Sequence, residues 1–71
     1  MEIKIDGGKL FVDGKELENI QGNDVVSGTV SGERCLVSAG QVYLGEEGNY
    51  RFAGSVPYEE FKTWRNSLGQ N

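Results

Sequence analysis

The side chains of this chain that could do chemistry are few: one cysteine, eleven carboxylates, three tyrosines and scattered hydroxyls, with no histidine at all. Without an imidazole neither a Ser-His-Asp nor a Cys-His arrangement can be assembled, and every Cys/His zinc framework goes with them. Cys35 lies inside an apolar strand pattern, Arg34-Cys35-Leu36-Val37. A lone thiol there reads as a small buried hydrophobe, because a reactive one wants a cation or a helix N-terminus beside it. Arg34 is its neighbour in sequence, but on a strand the two side chains point to opposite faces.

The glycines of Gly28-Thr29-Val30-Ser31-Gly32-Glu33-Arg34 stand near phosphate-loop spacing. Glu33, however, occupies the place that needs a lysine, and no helix follows. The carboxylate pairs Glu46-Glu47 and Glu59-Glu60 are neighbours in sequence, so on a strand or helix they diverge instead of converging on a substrate. Asp13-Gly14-Lys15-Glu16 is too short and too cationic for a calcium loop. These residues predict no catalytic group, no metal ligand set and no cofactor: the chain is not expected to be an enzyme.

Aromatic surface is what remains. Tyr43, Tyr50, Phe52, Tyr58, Phe61 and Trp64 crowd the C-terminal part of the chain, more than a domain this small can bury. Phe52, Phe61 and Trp64 are expected to form the core beneath a helix. Tyr43, Tyr50 and Tyr58 are then candidates for a contact surface, with Arg51 and Arg65 beside them, since interfaces anchor on amphipathic aromatics and arginine. Phe11 joins the set as a ring set among charges; its alternative reading is a ring lying over the aliphatic stem of Lys4.

The elements that must position these residues are short. Glu2-Ile3-Lys4-Ile5 alternates, Asp6-Gly7-Gly8-Lys9 is turn chemistry, and Leu10-Phe11-Val12 leads to a second turn at Asp13-Gly14. Two-residue loops at both turns predict the register: Ile5 opposite Leu10, Ile3 opposite Val12, Leu10 opposite Leu17. These apolar residues share one face, and Lys4, Phe11 and Glu16 line the other. Asn19 to Asn23 reads as a polar linker around Ile20. A strand follows from Asp24 to Val30, with a bulge or bend expected at Gly28. Ser31-Gly32 and Ala39-Gly40-Gln41 are turns flanking Arg34 to Ser38, and Gly45-Glu46-Glu47-Gly48 closes a hairpin from Val42-Tyr43-Leu44 into Asn49-Tyr50-Arg51-Phe52.

One helix is expected after that strand. Pro57 presets its φ with Ser55 near the cap, Glu59 and Glu60 suit the positive end of its dipole, and Phe61, Trp64 and Leu68 recur at helical spacing until Gly69 ends it. The fold class predicted is α+β, mainly β: an antiparallel meander or small bent barrel of about six to seven short strands with one C-terminal helix. Residues 1–71 make a single domain.

The formal charge is −4, its excess concentrated in the first half, which disfavours a duplex phosphate surface and predicts no nucleic-acid partner. No apolar segment follows Met1 and no run approaches membrane-spanning length, so a cytoplasmic protein with no membrane contact is expected. At about this size a chain buries only about 60% of its unfolded surface, and neither disulfide nor metal supplements the core. A homo-oligomer is expected on that ground.

The run Gly48-Asn49-Tyr50-Arg51-Phe52, Val56-Pro57, Phe61, Trp64, Ser67 and Gly69 resembles the C-terminal part of the KTSC domain, a small module found alone or appended to other proteins. The resemblance covers residues 48–69 and implies an aromatic strand, a Val-Pro bend and a helix ending near Ser-x-Gly. That family has no established chemistry, so the resemblance carries no site residue with it. The sequence reading is therefore of a non-catalytic interaction module that binds a protein partner and self-associates, in keeping with a small accessory protein of a bacterium or phage. Two alternatives stand beside it: a small-ligand or nucleotide binder with its site between subunits, and an acidic inhibitor that mimics nucleic acid.

Overall fold

Tight two-residue turns dictate the architecture. At Gly7-Gly8, Asp13-Gly14, Ser31-Gly32 and Ala39-Gly40 both central residues have positive φ, from 50° at Asp13 to 93° at Gly40. That is the signature of the hairpin turns whose twist matches that of the flanking strands. The computed structural model describes residues 1–68. Its strands are β1 (Ile3–Asp6), β2 (Lys9–Val12), β3 (Lys15–Glu16), β4 (Glu18–Gln21), β5 (Val25–Val30), β6 (Glu33–Ser38), β7 (Gln41–Glu46) and β8 (Asn49–Ser55), followed by helix α1 (Tyr58–Leu68). They form two antiparallel sheets, β1-β2-β3 and β4-β5-β6-β7-β8. The mainly-β class with one C-terminal helix and the meander are as expected, but the sheets do not close into a barrel, and the strands number eight.

Register in the first sheet follows the two-residue loops. Ile3 pairs with Val12, Lys4 with Phe11, Ile5 with Leu10 and Phe11 with Glu16, and the Leu17 amide donates to the Leu10 carbonyl at 2.9 Å. Glu2 and Asp13 prolong the ladder, the Asp13 amide donating to the Glu2 carbonyl and the Glu2 amide to Asp13 Oδ1, each at 2.8 Å.

Asn19 to Asn23 is not a linker, because Glu18–Gln21 pairs with β5 as an edge strand. The ladder runs from Glu18↔Thr29 to Gln21↔Ser27, so Asn19 and Ile20 stand opposite Gly28 alone. The bulge foreseen at Gly28 thus sits on the partner strand, with Asn19 at φ 54°, while Gly28 itself pairs regularly with Cys35. Close approach explains the glycine: a Cβ there would lie 2.5 Å from the Glu18 carbonyl oxygen and 2.8 Å from Leu17 Cδ1.

One core is shared by both sheets and the helix. It contains Leu10, Val12 and Leu17, then Val26, Val30, Cys35, Val37, Val42 and Leu44, then Val56, Phe61 and Trp64, with Ile3, Ile5, Ile20, Ala53 and Leu68 packed partly buried against it. The helix begins one residue later than Pro57: the Pro57 carbonyl accepts its first bond, from the Phe61 amide at 3.1 Å. Ser55 is no cap, being the last residue of β8, paired with Gln41. Glu59 and Glu60 occupy the first turn and Arg65 the last, as the dipole favours; the expected stop at Gly69 lies outside the described residues.

Two further expectations fail in the last hairpin. Its loop is Glu47-Gly48 alone, since Glu46 pairs with Asn49, and Gly45 is a buried residue of β7. Phe52, expected beneath the helix, is 61% exposed. It pairs with Tyr43, an odd-numbered β7 residue, whereas the buried β7 side chains are Val42 and Leu44. The strand period of two therefore sends Phe52 to the outer face; beyond it the ladder steps irregularly past Ala53, which packs against the core, to Gly54 opposite Val42.

Candidate functional site

The outer face of the five-stranded sheet is assembled by register. Directly opposed residues share a face, so Ser27, Leu36, Tyr43 and Phe52 form one row across β5 to β8. Thr29, Arg34, Gly45 and Tyr50 form the next row, and Val25, Ser38, Gln41 and Ser55 the third. The Tyr43 and Phe52 rings meet edge-on, with centroids 5.8 Å apart, a favoured aromatic geometry. Tyr43 donates its hydroxyl to Gln41 Oε1 at 2.8 Å. Arg34 Nε donates to the Tyr50 hydroxyl at 3.2 Å, passing over Gly45, which has no side chain to block it. At the β4 edge the Asn19 amide donates to Thr29 Oγ1 at 3.0 Å.

This face has a composition unlike the rest of the molecule. In a chain of net charge −4, its only carboxylate among the described residues is Glu18 at the far edge, opposite Thr29, and its one cation among them is Arg34. Rings, hydroxyls and amides make up the rest, with Phe52 61% and Val25 50% exposed.

The structure brings together two of the residues expected to form a contact surface, Tyr43 and Tyr50, and disperses the others. Arg51 pairs with Leu44 and so lies on the inner face, at its rim. Its Nη1 and Nη2 donate to Glu33 Oε2 and Oε1 at 2.9 and 3.3 Å. That hydrogen bond, and then the charge of Glu33, push the Arg51 guanidinium above its already high ordinary value. Phe11 is half-buried on the outer face of the three-stranded sheet, in a shallow hollow with Glu2, Lys4, Asp6 and Gly14. Tyr58, 51% exposed, leans on Phe61 at the start of α1. Arg65 is tied down by Asp24 at 3.7 Å and stands over the Phe61 ring, 5.8 Å from its centroid.

Sequence reasoning missed Leu36, Phe52, Gln41 and Arg34 as members of the face. The available signal was parity: Gln41 and Phe52 stand two positions from Tyr43 and Tyr50 on the same strands, and Leu36 and Arg34 fall opposite Tyr43 and Gly45 once the turn between β6 and β7 has two residues. A second hollow, of about 430 Å³, opens between the tip of the β1-β2 hairpin and α1, lined by Ile5, Gly8, Glu59, Glu60, Thr63, Trp64 and Ser67. Cys35 is fully buried on the inner face, where burial, aided by the charge of Glu33, pushes its thiol from 9.0 up to about 11. Among the described residues no cluster of three or more metal-ligating side chains occurs, and no helix is long and apolar enough to cross a membrane.

A scan against protein-family models finds no match to the chain, and neither does a search of curated proteins or of solved structures. The resemblance to the KTSC domain therefore rests on the residues quoted for it.

Proposed function

We propose that this chain is a non-catalytic interaction module of the cytoplasm that binds a protein partner, and further copies of itself, through the outer face of its five-stranded sheet. The observation that carries the reading is the row Leu36-Tyr43-Phe52 set among neutral hydroxyls and amides. Interface cores are depleted of charge and enriched in aromatics, and tyrosine with serine and asparagine is the composition of adaptable binding surfaces. Apart from Glu18 at the β4 edge, the acidic side chains lie elsewhere, and the reading has no role for nucleic acid or membrane.

The test is capture from a lysate of the native cell by the tagged chain and by a Tyr43→Ser/Phe52→Ser variant. Both substitutions are at solvent-facing positions, so the thermal transition should stay within a few degrees of the parent's while the captured partner is lost. Undiminished capture by the variant would reject the face.

A second reading, as a small-ligand binder, draws on the hollow beside Trp64, whose size falls in the range of ligand sites. Its two carboxylates favour a cationic ligand. Quenching or enhancement of Trp64 fluorescence by small amines, saturating and abolished in Glu60→Gln, would support it.

A further inference from the structure

We propose that the self-association rests on β8: a second copy of this chain pairs with it edge to edge, antiparallel, about a two-fold axis at Phe52, making one continuous ten-stranded sheet. The inference rests on the interaction-module reading and names both partner and contact.

Four strands end the two sheets, and three of them are blunted. β3 has only two residues, β1 carries Lys4 and Asp6, and β4 carries Glu18 together with its bulge at Asn19 and Ile20. Short length, charge and bulges are the usual protections of an edge. β8 is the longest strand, seven residues without Asp, Glu, Lys or Pro. Among the described residues no backbone hydrogen bond leaves it on the side away from β7. The N-terminal segment does not fill that side, because Ile3 and the Met1 carbonyl lie in the direction of a Gly54 Cβ, which is the inner face.

The outer row points the same way. Leu36, Tyr43 and Phe52 run across the sheet and stop at the edge with Phe52 61% exposed; a second β8 continues the row into its own Phe52, Tyr43 and Leu36. Charge permits the approach: two copies of net charge −4 repel through most of their surface, but β8 has no carboxylate and its cation is held by Glu33 at 2.9 Å on the other face.

Register follows from facing. Opposed residues of an antiparallel pair must share a face, so a two-fold axis normal to the sheet falls on a residue. An axis at Arg51 sets guanidinium against guanidinium, and one at Ala53 falls on the irregularity of the β7-β8 ladder. An axis at Phe52 sets Phe52 against the second copy's Phe52 and the inner-facing Arg51 against its Ala53, which packs against the core; the regular pairing ends there, because beyond the irregular step Gly54 faces inward while Tyr50 faces outward.

The experiment uses the full chain. Light scattering from low micromolar to near-millimolar concentration should give twice the 7.8 kDa of one chain, and Phe52→Lys should raise the dissociation constant by about tenfold or more, as truncation at an interface anchor does. Under mild oxidation Phe52→Cys should form an intermolecular disulfide, since opposed Cα atoms in antiparallel strands stand about 4.5 to 5.5 Å apart. Arg51→Cys should not. A mass of one chain at every concentration overturns the pairing, as does a dimer that Phe52→Lys leaves intact or one that crosslinks through Arg51→Cys instead. A monomer that still captures a partner through Tyr43 and Phe52 overturns the pairing while leaving the interaction-module reading standing.

Discussion

Cys35 shows how far a single residue can be read. Its place in an alternating strand predicts burial, and the side chain is fully buried between Gly28 and Leu44 in the register of the sheet. Two consequences follow. Thiol reagents should label the native chain slowly and the denatured chain fast; rapid stoichiometric labelling of folded protein would contradict the facing. The second consequence is a pH dependence. The folded thiol ionises near 11 against an ordinary 9.0, so the unfolded chain loses this proton first as pH rises. The associated stability is whole below pH 9 and is lost between pH 9 and 11, at about 1.4 kcal/mol for each tenfold in proton affinity, or about 2 to 3 kcal/mol in all. Denaturant titrations of the parent and of Cys35→Ala across that window check it: the parent should lose more, and parallel curves would refute the assignment. Phe52 is the counter-case, a residue whose type predicted the core and whose parity placed it outside.

Two elements carry predictions of their own. The turn Ala39-Gly40 holds an alanine at φ 51°, a conformation that costs an L-residue with a plain Cβ about 1 to 2 kcal/mol. Asparagine tolerates it and is favoured before glycine in this turn. Ala39→Asn should therefore stabilise the chain by about 0.5 to 1 kcal/mol, read as a higher midpoint in urea, and an unchanged or lower midpoint would contradict the turn. The helix carries the largest single contribution. Trp64 is 2% exposed and Phe61 1%, with ring centroids 6.1 Å apart. Trp64→Ala should cost about 3 to 5 kcal/mol, against a total of about 4 to 10 kcal/mol for a chain of this length. A variant that kept the parent's thermal transition would deny the helix its role in the core.

At the scale of the whole molecule the two sheets are separate ladders over one core, joined through Leu17, which is buried where the chain passes from β3 to β4. Neither sheet has a core of its own, since Leu10, Val12 and Leu17 pack with the valines of β5, β6 and β7 and with the helix. Unfolding should accordingly be a single cooperative step, with Trp64 fluorescence and far-ultraviolet circular dichroism giving one midpoint. Separate midpoints would mean that the three-stranded sheet melts by itself. The ion pairs among the described residues add little, because they involve exposed or partly exposed partners of the kind that contributes only weakly.

The amino-acid sequence by itself determined the local events: the turns, whose glycines and short polar residues set positive φ; the register of β1, β2 and β3, which follows once two loops have two residues each; the facing of Cys35 away from Arg34; and the apolar stripe of α1. Each depends on neighbours within a few positions. Only the tertiary structure decided that Asn19 to Gln21 belongs to a strand, that Gly28 is glycine because Glu18 and Leu17 come within 2.5 and 2.8 Å of its missing Cβ, and that β1-β2-β3 parts from the larger sheet without closing a barrel. The shared outer face of Leu36, Tyr43, Phe52, Tyr50 and Arg34 belongs to the same class. It required the pairing of four strands at once, and Phe52 joins it because the two-residue turn at Glu47-Gly48 sets it opposite Tyr43, on the face that Tyr50 shares.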